Sequence, residues 1–158
     1  MAISKKMEIP IYNKLIHHWR DLNYDIEFGP SKEEDILAIE AKYDITLPDD
    51  FRTYLLKASP KPHGGEMDEN YVSWWPLKDI KTIPEAYEDY EQLKIGGGPE
   101  KYLFFADHLV WSWAWAICCE LGNEFGRIIW IGDGAIIANS FPDFVEKYIR
   151  ESPDFVGC

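Results

Sequence analysis

Apolar residues recur at helical spacing through the first third of the chain and switch to strict alternation in the last third. Ile9, Ile11, Tyr12, Leu15, Ile16, Trp19 and Leu22 predict a helix that starts after Pro10 and buries Trp19. "EFGPS" is a hinge into a second helix. There Ser31 and Glu34 have the spacing of a capping box, and Ile36, Ile39, Glu40 and Tyr43 share one face. "ITLPDDF" opens a third. Pro48 suits a first helical position, and Asp49 and Asp50 put negative charge at the positive end of the helix dipole. Phe51, Tyr54, Leu55 and Ala58 follow at i, i+3, i+4 and i+7, an amphipathic stripe that "KPHGG" at 61–65 ends.

Beyond the glycine pair the pattern shortens. "EMDEN" reads as an acidic loop before a strand "YVSWW" that Pro76 ends, with Trp74 and Trp75 on opposite faces. A helix is predicted from about Pro84, burying Ala86, Tyr87 and Tyr90 and presenting Glu85, Glu88, Asp89 and Glu91 to solvent. "YLFFA" is a strand. "HLVWSWAWAICCE" then alternates with period two: Trp111, Trp113, Trp115, Ile117 and Cys119 on one face, Ser112, Ala114, Ala116 and Cys118 on the other. Large residues suit the main core, and the small ones admit close approach by a helix or a partner. "RIIWI" returns, Asp133-Gly134 is a two-residue hairpin signal, and "AIIA" pairs back. Ser140 with Asp143 caps a last helix whose apolar face is Phe141, Phe144, Val145, Tyr148 and Ile149. The expectation is a single α+β domain, with N-terminal helices and a C-terminal helix packed on an antiparallel meander sheet.

Charge changes the picture. The net charge is −12, from 28 acids against 16 bases. Residues 1–30 balance at four and four, so the whole excess falls after residue 30. Such a field repels nucleic acid and favours basic partners. The opening "MAISKKMEIP" has no apolar h-region, and no apolar run approaches the roughly 18 residues of a membrane span. A cytoplasmic location is expected, with no membrane partner. Three cysteines, two of them adjacent and none at metal-ligand spacing, point to reduced thiols.

The order "E…Y-x-I-x-LP-x-DF-x-x-YLL…GG" resembles the opening of the SUKH superfamily, also called the Smi/Knr family. "YLFFADHL", "WSWAWAI", "GRIIWI" and "IANSFPDFVEKYI" fit that family's strands and closing helix in the same order. The resemblance sets the divisions: residues 1–30 as a helical extension of the same domain, 31–150 as the SUKH-like domain, 151–158 as a short tail. Its motifs are structural, and none is catalytic.

The residues carry no catalytic motif either. His17 and His18 are adjacent and cannot share a helix face as metal ligands. His63 and His108 are separated by strands, and Cys118 pairs with a histidine only if the fold brings one to it. "GGGP" at 96–99 lacks the lysine and the spacing of a phosphate loop, and Glu66, Asp68 and Glu69 lack the spacing of a calcium loop. No enzyme, cofactor or metal is expected. The resemblance implies a binding protein: bacterial SUKH members act as immunity proteins against polymorphic toxins, often nucleases. A cognate toxin, basic where it grips phosphate, would meet an acidic, rigid inhibitor. The contacts expected are the loop Glu66, Asp68 and Glu69 with Trp74 or Trp75, then the helix face Glu85, Glu88, Asp89 and Glu91. The alternative implied by the resemblance is a non-enzymatic regulatory scaffold like the yeast cell-wall-synthesis regulators. Those carry long disordered flanks, which this chain's short ends do not match.

Overall fold

"YLFFA" has no polar face, and that places it at the centre of the sheet. In the computed structural model, which describes residues 9–22, 31–60, 67–68, 71–89, 91, 93, 95–108, 113–132 and 134–150, Tyr102 to Ala106 are each at most 1% exposed. The chain forms one α+β domain with six strands: β1 (Val72–Trp74), β2 (Lys81–Thr82), β3 (Tyr102–His108), β4 (Trp113–Cys118), β5 (Ile128–Trp130) and β6 (Ile136–Ala138). All pair antiparallel. The order is β1-β3-β4-β5-β6, and β2 lies beyond β1 along the same side of β3. The meander of the second half is therefore as expected. A bulge between Phe104 and Ala106 adds one residue, so both Phe105 and Ala106 join the main core.

Among the described residues five α-helices pack around the sheet: α1 (Ile11–Asp21), α2 (Glu33–Tyr43), α3 (Asp49–Lys57), the single turn α4 (Ile83–Ala86) and α5 (Phe141–Ile149). The main face is aromatic. Phe105 meets Phe51, Phe141 and Phe144 edge-on at ring distances of 5.1–5.8 Å, and Trp115 meets Phe144 at 5.4 Å. Trp19 of α1 is fully buried, as its spacing requires, and packs edge-on against Trp74 at 5.4 Å. Rings in these edge-to-face poses add about 0.5–1.5 kcal/mol per pair beyond the area they bury.

Local signals hold unevenly. Ser140 accepts a hydrogen bond from the Asp143 backbone N–H (3.1 Å) while Asp143 accepts one from the Asn139 N–H (3.1 Å), so the cap of α5 is reciprocal. The Ser31 capping box does not form. Helix α2 starts after Lys32, and the Ser31 N–H donates instead to the Leu55 carbonyl at the end of α3 (2.9 Å). Pro48 sits one position earlier than expected, at the N-cap. Glu40, the polar residue on α2's apolar face, closes the joint between the two helices. It accepts from the Leu47 N–H at 2.9 Å and from the Arg52 guanidinium at 2.6 Å. Asp133 falls outside the described residues. The turn around it is wider than two residues, since Trp130 N–H reaches the Ala135 carbonyl (3.1 Å) and Gly134 takes a positive φ of 81°.

The sheet's second face is small-residued, as the alternation in β4 predicts. Ala114, Ala116 and Cys118 lie there with Tyr102, Phe104 and Ile129, under Ile83, Ala86, Tyr87, Leu93 and Ile95. The approach that the small face permits is made by the chain's own segment 83–95. Trp111 and Ser112 lie outside the described residues.

A buried polar contact ties the turn before β1 to α5. Asp68 is 6% exposed, accepts from the Val72 N–H at 3.0 Å and accepts a hydrogen bond from the Tyr148 hydroxyl. Hydrogen bonds to a buried charge contribute about 1.5–3 kcal/mol. Tyr148→Phe is expected to lower stability by about 2 kcal/mol. Urea unfolding checks it: a lower midpoint with the slope unchanged is the expected result, and an unmoved midpoint would show the contact to be idle.

Candidate partner-binding surfaces

Of the acidic loop expected at 66–69, Met67 and Asp68 are among the described residues, and Asp68 is buried rather than solvated. Glu66 and Glu69, with His63, lie outside the described residues. Asp68 points inward, because the backbone N–H of Val72 and the Tyr148 hydroxyl satisfy its carboxylate better than a water-facing turn would. What this turn offers to solvent is Met67, 38% exposed, and Tyr71, 54% exposed and held at a φ of 64°. Trp74 is also inside. It is 4% exposed and ringed by Trp19, Tyr54, Phe144 and Tyr148. Trp75 faces the other side of the sheet, half-buried on Phe104, with its Nε1–H donating to Asp107 Oδ2 at 2.8 Å.

The second expected surface, a helix face bearing Glu85, Glu88, Asp89 and Glu91, is not a helix face. Helix α4 stops at Ala86. Tyr87 turns extended (φ −140°, ψ 110°) to lay its ring over the small face of β4, and that packing outweighs the helical propensity of the sequence after it. Glu88, Asp89 and Glu91 are exposed but off any common helix, and Tyr90 is outside the described residues. Glu85 is drawn into local structure. Its Oε1 accepts from the Tyr43 hydroxyl (2.7 Å), the Thr82 N–H (3.0 Å) and the Thr82 hydroxyl (3.1 Å). Burial alone would raise the Glu85 pKa. The hydroxyl of Tyr43, both Thr82 donors and the nearby Lys42 charge outweigh it and hold the carboxyl below its ordinary value.

A different acidic surface is assembled at the end of the sheet where β3 begins and β4 ends. Thr46 N–H donates to the Cys119 carbonyl (2.9 Å) and Cys119 N–H to the Lys101 carbonyl (2.8 Å), so three loops meet there. The α2–α3 joint brings Asp44, Asp49 and Asp50, the loop before β3 brings Glu100, and the loop after β4 brings Glu120, all exposed. Cations balance them only in part. Lys101 turns its ammonium onto the Asp44 carbonyl at 2.6 Å and pairs with the Asp44 carboxylate at 3.7 Å, and Arg127 is paired with Glu124 at 2.9 Å. Leu121, beside Glu120, is 70% exposed, more than any other large apolar side chain described. Sequence reasoning missed this surface because its members are scattered from 44 to 121, and only the β3–β4 pairing brings them together.

Among the described residues the fold does not bring His108 to Cys118. His108 pairs with Trp113 at one end of the β3–β4 hairpin and Cys118 with Tyr102 at the other, roughly 17 Å apart at the usual strand rise. Burial pushes the thiols of both Cys118 and Cys119 above the ordinary range, which disfavours the nucleophilic thiolate. Among the described residues no group of three or more His, Cys, Asp or Glu is placed to hold a metal, and no helix is long and apolar enough to cross a membrane. His17 is exposed, whereas His18 is half-buried and packs edge-on against the Tyr148 ring at 5.1 Å.

A family model described as the SMI1 / KNR4 family (SUKH-1) matches residues 30–147. No curated protein matches the chain.

The Glu85 cluster has a pH signature. A carboxyl whose folded pKa is lowered stabilises the fold fully above its ordinary value of 4.5 and loses that contribution as pH falls through the lowered one. Removing one donor with Tyr43→Phe is expected to move the Glu85 titration upward, towards the ordinary value. Carboxyl-carbon NMR titration reads this directly, and an unshifted midpoint would show that the Tyr43 hydroxyl does not act on Glu85.

Proposed function

Since the chain belongs to the SMI1/KNR4 family (SUKH-1) and presents an acidic end built from three loops, we propose that it is an immunity protein, one that binds and neutralises a cognate polymorphic toxin. The toxin acts on nucleic acid, as a nuclease or a related domain, and is basic where it holds phosphate. Inhibition is by stoichiometric occlusion in the producing cell's cytoplasm, without chemistry at the immunity protein.

The observation that carries this reading is the pairing of sign and shape at the acidic end. Asp44, Asp49, Asp50, Glu100 and Glu120 are exposed on the loops that meet there, and Leu121, next to Glu120 in the chain, is exposed as well. Long-range attraction between this surface and a phosphate-binding groove speeds encounter and is weakened by salt. An exposed large apolar side chain beside Glu120 supplies the short-range contact that slows release. The loops rest on the paired strands β3 and β4, so little ordering is needed on binding.

The test is co-purification with the toxin-like product encoded beside this chain, followed by titration of its nuclease activity. A complex that reaches full inhibition at a fixed molar ratio is expected. Replacing Asp49, Asp50 and Glu120 together by lysine is expected to slow association about tenfold at low salt and much less at high salt. Leu121→Ala is expected to act chiefly on dissociation, by more than about 1 kcal/mol. Tight inhibition that ignores both changes would move the interface elsewhere on the molecule, and absence of binding to any neighbouring toxin would overturn the reading.

A further inference from the structure

The cations of this acidic chain are unevenly used. Lys14, Arg52, Lys101, Arg127 and Lys147 each form an ion pair with a carboxylate. Lys32, Lys42 and Lys78 form none with any described residue, and all three line one open groove of about 510 Å³ between α2 and the 3-10 turn Leu77–Asp79. Its floor is apolar: Ile39, Leu77 and Ile80, with Pro60 and Pro76. Ala38 leaves the hollow on the α2 side, where a longer side chain would fill it. The Lys42 ammonium lies 4.9 Å over the Tyr43 ring, which holds one cation in place at the mouth. Asp35 is the single carboxylate on the lining, so the rim carries three positive charges against one negative.

We infer that this groove docks an extended acidic segment of a partner protein, with an apolar side chain on the Ile39–Leu77 floor and flanking carboxylates on Lys32, Lys42 and Lys78. A volume of 510 Å³ falls within the range of about 300–1,000 Å³ usual for sites that enclose a few residues' worth of ligand. Charge makes the choice of occupant. With a net charge of −12 the surface as a whole repels an acidic segment, and this rim gathers three lysines that form no ion pair with a described residue, Lys42 also lending its charge to Glu85 beside Tyr43. The sign is opposite to that of the acidic end, so the groove serves a different partner segment, and the inference stands apart from the immunity reading.

The test uses the isotopically labelled full chain and a capped hexapeptide of alternating aspartate and leucine. Amide shifts are expected along Lys32–Tyr43 and Leu77–Ile80. They should weaken about tenfold in the variant Lys32→Glu, Lys42→Glu, Lys78→Glu. Ala38→Trp, which fills the hollow and leaves the charge alone, should abolish them. All four positions are exposed, and circular dichroism checks that the variants fold. Shifts of equal size with a lysine–leucine peptide, or with inorganic phosphate alone, would overturn the inference. So would binding that survives Ala38→Trp. Toxin inhibition left intact by these variants would separate this groove from the acidic end.

Discussion

A central hairpin with no polar face forces the rest of the molecule to supply two layers. Strand β3 buries Tyr102 and Phe104 on one side and Leu103 and Phe105 on the other, and β4 does the same with Ala116 and Cys118 against Trp115 and Ile117. Helices α1, α3 and α5 cover the first side with aromatic rings. The second is covered by a much poorer layer, the single turn α4 with Tyr87, Leu93 and Ile95. That layer suffices because alanines let it come close, and dispersion contact depends on approach as much as on area. The position of segment 75–95 thus follows from the sheet rather than from its own propensities, which is why its charged residues do not form the helical face their order suggests.

The extent to which the sequence could be read follows the range of each interaction. Period-two alternation in β4 and the Ser140 cap are decided within a few residues, and both are present in the structure. The Ser31 cap is equally local, yet its backbone N–H is claimed by Leu55. Asp68 is the sharpest case. Flanked by Glu66 and Glu69 it has the composition of a solvated loop, and its true partner, Tyr148, lies 80 residues away. A carboxylate turned inward by so distant a hydroxyl leaves no periodic trace. The acidic end was hidden for the same reason, because its residues become neighbours only through β3–β4 pairing.

Charge in this molecule is sorted by position and sign. Among the described residues the acids at the loop end, Asp44 with Lys101 apart, form no ion pair, while some cations elsewhere are consumed locally, as in the Glu33–Arg52–Glu40 bridge that locks α2 to α3. Bridges of this partly exposed kind contribute little to stability. Their larger effect is to remove positive charge from the field that an approaching partner senses. A net charge of −12 is therefore not an even coat: acids gather at one end of the hairpin, and three lysines gather on the groove between α2 and the turn Leu77–Asp79.

The closing helix has a temporal consequence. Helix α5 supplies Phe141, Phe144 and Tyr148 to the main core, and it also meets α1, where Lys14 pairs with Glu146 at 2.8 Å. Ribosomes deliver α1 first and α5 more than a hundred residues later, a delay of roughly ten seconds at ordinary elongation rates. Throughout that interval Trp19, Trp74 and Phe105 lack the helix that seals them. A nascent chain of this protein therefore carries an unfinished aromatic surface until its final described helix emerges, a period in which trigger-type chaperones would have the most to hold.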